Sequence, residues 1–363
     1  MHLMIHLRPL AEVLGCAAVF TVLFAAAQAP PRVLPSASDS AQSTLHVESF
    51  DIPFSSFASP EARRKAAHML RPANPPNADD ISNVRAFYAR FSDQQAARMK
   101  LMYPVNIETQ TIAGVKTEII TPKEGVATKN RRRVLINLHG GGFMWGEGSG
   151  AEVESIPIAS LGKIEVITVF YRLAPENNFP AASEDVAAVY KSLLAKYPPA
   201  NIGIYGCSAG GVLTAEAMAW FDKVHLPLPG AIGTLCGSIA PFDGDSAYIA
   251  PLLDGVKGQP APLTMASLPY FRGADPHDPL VFPINSPSLL AKFPPTLLIA
   301  GSRDFAFSSL LKTQAVLTDA NVEADLHVWD GMWHAFFVDP DLPESREVYD
   351  VITRFFDRHL GVK

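Results

Sequence analysis

Cysteine is scarce in this 363-residue chain, which has only Cys16, Cys207 and Cys236. Three cysteines make no disulfide scaffold, so the fold must stand on its core, and 48% hydrophobic residues suffice for a large one. Excess positive charge is also missing. Lys and Arg number 30 against 36 Asp and Glu, a formal net charge of -6, which excludes the basic footprint of a nucleic-acid partner. The only tight basic run, Arg131-Arg132-Arg133, directly precedes an apolar strand and has the character of a solvated loop. No His-Glu-x-x-His and no cysteine–histidine cluster is present, so no metal is expected. No G-x-G-x-x-G and no Gly-Lys-Ser/Thr occurs either, so no nucleotide cofactor is expected. Internal repeats and heptads are absent.

Long apolar runs are missing too. The N-terminal run from Val13 to Ala27 falls short of the ~20 residues that span a bilayer comfortably. With Arg8 before it, small residues at Ala25-Ala26-Ala27-Gln28-Ala29 after it, and Pro30-Pro31 next, residues 1–29 have the form of a signal peptide. Cleavage is expected near Ala27 or Ala29, which implies export to the periplasm or medium and no stable membrane span in the mature form. A retained anchor, or a lipid on Cys16, stays open as an alternative.

What the chain does contain is alternation. Residues 30–101 comprise a Pro/Ser/Ala-rich linker and helical pieces broken by Pro72, Pro75 and Pro76. Ile81, Val84, Phe87, Tyr88 and Phe91 recur at helical spacing, and these N-terminal helices are expected to form part of a cap. Residues 102–363 are expected to be the catalytic domain. Val105–Thr111 and Val115–Thr121 suit a hairpin around Ala113-Gly114. Apolar strands are expected at Val134–Leu138, Ile164–Phe170, Ile202–Tyr205, Ala231–Leu235, Thr296–Ala300 and Ala324–Trp329. Helices are expected after Pro180, through Val212–Phe221, over Ser308–Asn321 and from about Ser345 to Leu360. Such alternation predicts an α/β fold with a mostly parallel central sheet flanked by helices. The Pro-, Asp- and Gly-rich segment at about 241–294 interrupts it, as a functional insertion does, and is the second expected part of the cap.

Chemistry concentrates in a few turns. Gly206-Cys207-Ser208-Ala209-Gly210-Gly211 lies between a strand and a helix, where G-x-S-x-G forms a nucleophile elbow presenting Ser208. His139-Gly140-Gly141-Gly142-Phe143 follows another strand, and its glycines free the backbone to aim N–H groups at a developing oxyanion. Cys207 as the nucleophile is a weaker alternative, because the elbow displays its central residue.

These two stretches, with Tyr171-Arg172-Leu173-Ala174-Pro175-Glu176 between them, resemble the hormone-sensitive-lipase family of esterases (bacterial family IV), over about Val105 to Leu360. The resemblance implies an α/β-hydrolase fold with a helical cap. It implies oxyanion donors at Gly141, Gly142 and Ala209, and makes His139 a structural member of its loop. Asp304, just past a strand in Leu298-Ile299-Ala300-Gly301-Ser302-Arg303-Asp304, occupies the family's acid slot. His334, in Gly331-Met332-Trp333-His334-Ala335-Phe336-Phe337, resembles the catalytic-histidine loop. The chain order Ser208, Asp304, His334 is the order of this fold. Asp330, Asp278 and His327 are weaker candidates.

The expected activity is serine carboxylic-ester hydrolysis of small to medium acyl esters through an acyl-enzyme, with a small-molecule ester as partner. Lactone or amide hydrolysis by the same triad, and a non-catalytic ligand-binding protein, are the alternatives. Tyr270, Phe271 and Trp145 are expected either as pocket wall or as packing. One departure stands out: the family usually has Asp before the serine, and here it is Cys207. An exported chain also leaves a Cys207–Cys236 disulfide open.

Overall fold

The computed structural model describes residues 51–69, 80–255 and 268–361, so the expected signal peptide, Cys16, the linker and the breaks at Pro72, Pro75 and Pro76 lie outside the described residues. Two helices come first, α1 (Pro60–Met69) and α2 (Ile81–Met102). The α2 start is fixed by Asp80, whose carboxylate accepts the Asn83 N–H at 3.1 Å. This helix buries Val84, Tyr88, Gln95, Ala96 and Met99. No described helix is long and apolar enough to cross a membrane.

Then follow β1 (Val105–Ile112), β2 (Val115–Pro122), β3 (Val134–Leu138), α3 (Ser149–Gly162), β4 (Glu165–Val169), α4 (Ala181–Leu193), β5 (Ile202–Cys207), α5 (Ala209–Lys223) and β6 (Ala231–Leu235). The remainder is α6 (Asp245–Leu253), the short α7 (Pro287–Leu290), β7 (Thr296–Gly301), α8 (Phe307–Asp319), β8 (Ala324–Trp329) and α9 (Pro343–His359). The eight strands form one sheet in the order β1-β2-β4-β3-β5-β6-β7-β8. The pairs β1/β2 and β2/β4 are antiparallel, and every later pair is parallel.

The strands β3, β5, β6 and β7 are buried along their whole length because both sheet faces are covered there, whereas the edge strand β8 is only half-buried. On one face Val134, Ile136, Leu138, Ile202 and Ile204 pack with α4, α5 and α8. On the other, Leu135, Val166, Tyr205 and Leu297 pack with α3 and α9. Parallel pairing puts the carboxyl ends of β3, β5, β7 and β8 at one edge, where ligands bind in open α/β sheets.

The helix α3 is absent from the expectations drawn from sequence. Its start follows Gly146 and Gly148, both at positive φ, and Pro157 lies inside it, so local propensity argues against a helix. Burial overrides that preference: Val153, Ile156, Ile158 and Ala159 all sit in the core.

One core group makes stability depend on pH. Glu216 of α5 is fully buried, and Ser183 Oγ donates to its Oε2 at 3.4 Å. Its Oε1 has no partner among the described residues. Burial therefore pushes this carboxyl well above its ordinary value of 4.5. The folded chain holds that proton while the unfolded chain releases it, so stability falls as pH rises above the ordinary value. Glu216→Gln removes the effect. Its unfolding free energy is expected to gain on wild type as pH goes from about 5 to about 8, with a slope of at most about 1.4 kcal/mol per pH unit, read from denaturant melts at each pH. A difference that stays constant across that range would show that Glu216 does not keep a proton.

Candidate active site

Ser208 stands between β5 and the first turn of α5 with φ 56 and ψ -120, a left-handed backbone that a serine adopts only when its surroundings force it. Those surroundings are tight. A Cβ placed on Gly210 would sit 1.7 Å from the Leu138 carbonyl oxygen, so β3 and the start of α5 meet backbone to backbone. The Ser208 N–H donates to Leu235 O of β6 at 2.8 Å, which fixes the turn from the other side.

The glycine loop leaves the end of β3 beside this turn. Gly141 has φ 112, and a Cβ there would lie 2.1 Å from the Trp145 carbonyl, so no other residue fits. Among the described residues the Gly141 and Gly142 N–H groups find no acceptor. Ala209 opens α5, and the first N–H groups of a helix have no acceptor within it. Of the three N–H groups expected from the sequence, those of Gly141 and Gly142 belong to the glycine loop and that of Ala209 to the first turn of α5, next to Ser208.

His139 supports this loop from below. It is fully buried, stacked on Tyr171 at 4.4 Å, with Nδ1 2.7 Å from Gly140 O. Burial lowers its pKa to about 4, so the ring is neutral and Nδ1–H donates to that carbonyl. The Tyr171 hydroxyl donates to His139 O at 2.5 Å. Arg85 of α2 donates to Met144 O at 2.8 Å and Ala174 O at 2.9 Å, and its fork meets the Glu176 carboxylate at 2.8 and 2.7 Å. The Tyr171–Glu176 stretch thus braces the loop.

Asp304 and His334 come from the ends of β7 and β8. His334 Nδ1 lies 2.7 Å from Asp304 Oδ1, and both side chains are buried. The same oxygen accepts the Ala306 N–H at 2.8 Å. The imidazole stacks on Phe305 at 4.4 Å. Cys236 lies beneath, its sulfur within 4.8 Å of the ligand atoms of both residues. His334 and Ser208 border the same cavity, of about 100 Å³, whose walls include Gly141, Gly142, Trp145, Glu154 and, from α2, Tyr88, Phe91, Ser92 and Gln95.

The weaker candidates lie elsewhere. His327 pairs with Asp325 at 3.2 Å near the surface. Asp330 accepts from Ser55 and Ser302 at 2.5 and 3.0 Å, and Asp278 accepts the Leu280 N–H. Cys207 and Cys236 are free thiols, so the open disulfide is not formed. Burial pushes the Cys207 thiol well above its ordinary range, which leaves it a poor nucleophile. Trp145 is pocket wall, stacked on Tyr88 at 4.3 Å. Tyr270 and Phe271 pack against Phe143 at 4.4 and 5.2 Å, one layer behind the loop.

Residues 135–338 match the family model described as alpha/beta hydrolase fold. A crystal structure of an esterase from the bacterial hormone-sensitive lipase family is 30% identical, with a TM-score of 0.73 over 84% of this chain and 99% of that one. The chain belongs to that family. A further crystal structure, of an esterase E25, superposes with a TM-score of 0.74 at 28% identity over 87% of this chain and 99% of that chain. An acetyl-hydrolase of Streptomyces hygroscopicus is 30% identical over 236 residues, 63% of this chain and 77% of the relative.

For this hormone-sensitive-lipase-like chain, the residue that sequence reasoning missed is Glu154. It accepts the N–H groups of Gly140 at 2.8 Å and Cys207 at 3.2 Å, and an Asn137 amide hydrogen at 3.2 Å. A signal existed: a carboxylate embedded in the apolar run Val153 to Ala159 is a burial anomaly.

Proposed function

We propose that the protein is a serine carboxylic-ester hydrolase for short acyl esters, with Ser208 as nucleophile, His334 as base and Asp304 as its partner. The observation that carries this reading is that Ser208 and His334 border one cavity, while His334 is held by Asp304 at 2.7 Å. With Nδ1–H donated to Asp304, the other imidazole nitrogen faces its task as an acceptor for the serine proton. Attack on the ester carbonyl makes a tetrahedral oxyanion, which the N–H groups of Gly141, Gly142 and Ala209 stabilise. His334 then protonates the leaving alcohol, and water repeats the sequence on the acyl-enzyme. The names of the relatives that align over most of this chain, esterases and an acetyl-hydrolase, support the ester, while arylacetamide deacetylases match over about 30% of it. The α2 side chains at the cavity support a cap role for the N-terminal helices; none of the described residues at 241–294 borders it.

The cavity's small volume, with the stacked Tyr88 and Trp145 in its wall, supports a short acyl chain. In a chromogenic series from acetate to laurate, kcat/KM is expected to peak at the short acyl groups. It should fall by about tenfold or more at laurate, because a longer chain must push side chains out of their packing. A maximum at laurate would overturn the short-acyl assignment. Turnover of anilides or lactones without any ester turnover would overturn the ester assignment.

A further inference from the structure

We infer that Glu154 is a positioning residue, whose one carboxyl group holds the oxyanion loop and the nucleophile turn at a fixed separation. The inference rests on the ester-hydrolase reading above.

Three donors converge on this side chain, and two of them are backbone groups adjoining the reacting ones. Oε1 accepts the N–H of Gly140, the residue before Gly141. Oε2 accepts the N–H of Cys207, the residue before Ser208. The junction is narrow: a Cβ on Gly140 would lie 3.0 Å from Cys207 O, 3.4 Å from Glu154 Oε1 and 3.5 Å from Ser208 Cβ. Glu154 is anchored in turn by α3, where its backbone carbonyl accepts the Tyr205 hydroxyl at 3.1 Å. Residue 207, usually aspartate in the family, here brings no carboxylate of its own, and α3 supplies one from behind.

Burying a carboxyl is costly, and burial raises the Glu154 pKa to about 8. The donors that face it offset that cost, because an apolar side chain here would leave the Gly140 and Cys207 N–H groups without this acceptor. The proton it then carries at neutral pH has one place to go. Both backbone partners are donors and cannot receive it, whereas Asn137 Oδ1 has no partner among the described residues. Turning the Asn137 amide lets Glu154 donate to that oxygen while still accepting from both loops.

The expected consequence is specific to the transition state. Releasing either loop misaims oxyanion donors that matter most once charge has developed, so kcat falls and KM stays. Glu154→Gln keeps the shape but sets an NH₂ group against one of the two N–H donors, and Glu154→Leu removes both acceptors. On a short ester, kcat is expected to drop by about 10-fold for the glutamine and about 10²-fold or more for the leucine. KM should remain within about threefold. Affinity for a short-chain trifluoromethyl ketone, which forms an oxyanion on the serine, should fall in proportion to kcat/KM. The glutamine variant keeps the test open if the leucine variant fails to fold.

Wild-type kcat in a folded glutamine variant would overturn the inference. So would a loss carried by KM, or one not mirrored in ketone affinity. Ser208→Ala in the same assay separates the two readings. If it keeps wild-type turnover, the serine-nucleophile reading falls. If it is inactive while the Glu154 variants match wild type, only the positioning role falls.

Discussion

Ser208→Ala is expected to lower kcat on a short ester by about 10⁴- to 10⁶-fold and to leave the fold intact. The magnitude follows from what remains after the hydroxyl is removed. The N–H groups of Gly141, Gly142 and Ala209 and the cavity walls are untouched, so the variant still binds substrate and polarises its carbonyl. A residual rate above that in water should therefore persist, as is usual when a nucleophile alone is deleted. KM should change little, because the hydroxyl contributes to the covalent step and hardly to ground-state binding. The fold should hold for a different reason. The positive φ at Ser208 is imposed by contacts of Gly210 with Leu138 and by the Ser208 N–H bond to Leu235, none of which involves the hydroxyl. Thermal melting of the variant at the wild-type temperature, together with the lost turnover, is the expected pair of results. Full activity in the alanine variant would remove Ser208 from the mechanism.

The sequence made much of this candidate site legible because each residue proposed to react sits in a turn with its own backbone demands. The Gly-x-Ser-x-Gly and triple-glycine stretches are such turns, and each follows a strand whose apolar run is unmistakable. Val134–Leu138, before the glycine loop, has the expected limits, as do Ala231–Leu235 and Ala324–Trp329, whereas the strand before Ser208 runs on past Tyr205 to Cys207. The partners that position those turns were not legible. Glu154 lies on α3, a helix masked by the glycines before it and Pro157 inside it, and its role depends on the crossing of β3, β5 and α3 in space. Tyr88 and Trp145 meet from distant parts of the chain, so no spacing rule relates them. The family resemblance named an absent aspartate at residue 207. Only the packed structure shows which carboxyl faces that backbone instead.

Asp304 offers the sharpest test of how the base is held. Asp304→Ala is expected to reduce kcat by about 10⁴-fold, the usual order for losing the acid of such a triad. Asp304→Asn should do less harm here than a simple exchange of tautomers implies. Two donors, the His334 Nδ1–H and the Ala306 N–H, converge on the same oxygen, Oδ1. The asparagine therefore keeps its carbonyl oxygen at that point, because turning the amide would set its NH₂ against two donors at once. The productive tautomer is preserved, and what disappears is the negative charge that steadies the imidazolium in the transition state. Stripped of that charge alone, kcat is expected to fall by about 10²- to 10³-fold, which leaves the asparagine variant measurably faster than the alanine. If the two variants were equally slow, the amide would have turned and the shared oxygen would not govern its orientation. If the asparagine variant matched wild type, the charge on Asp304 would have no part in the reaction.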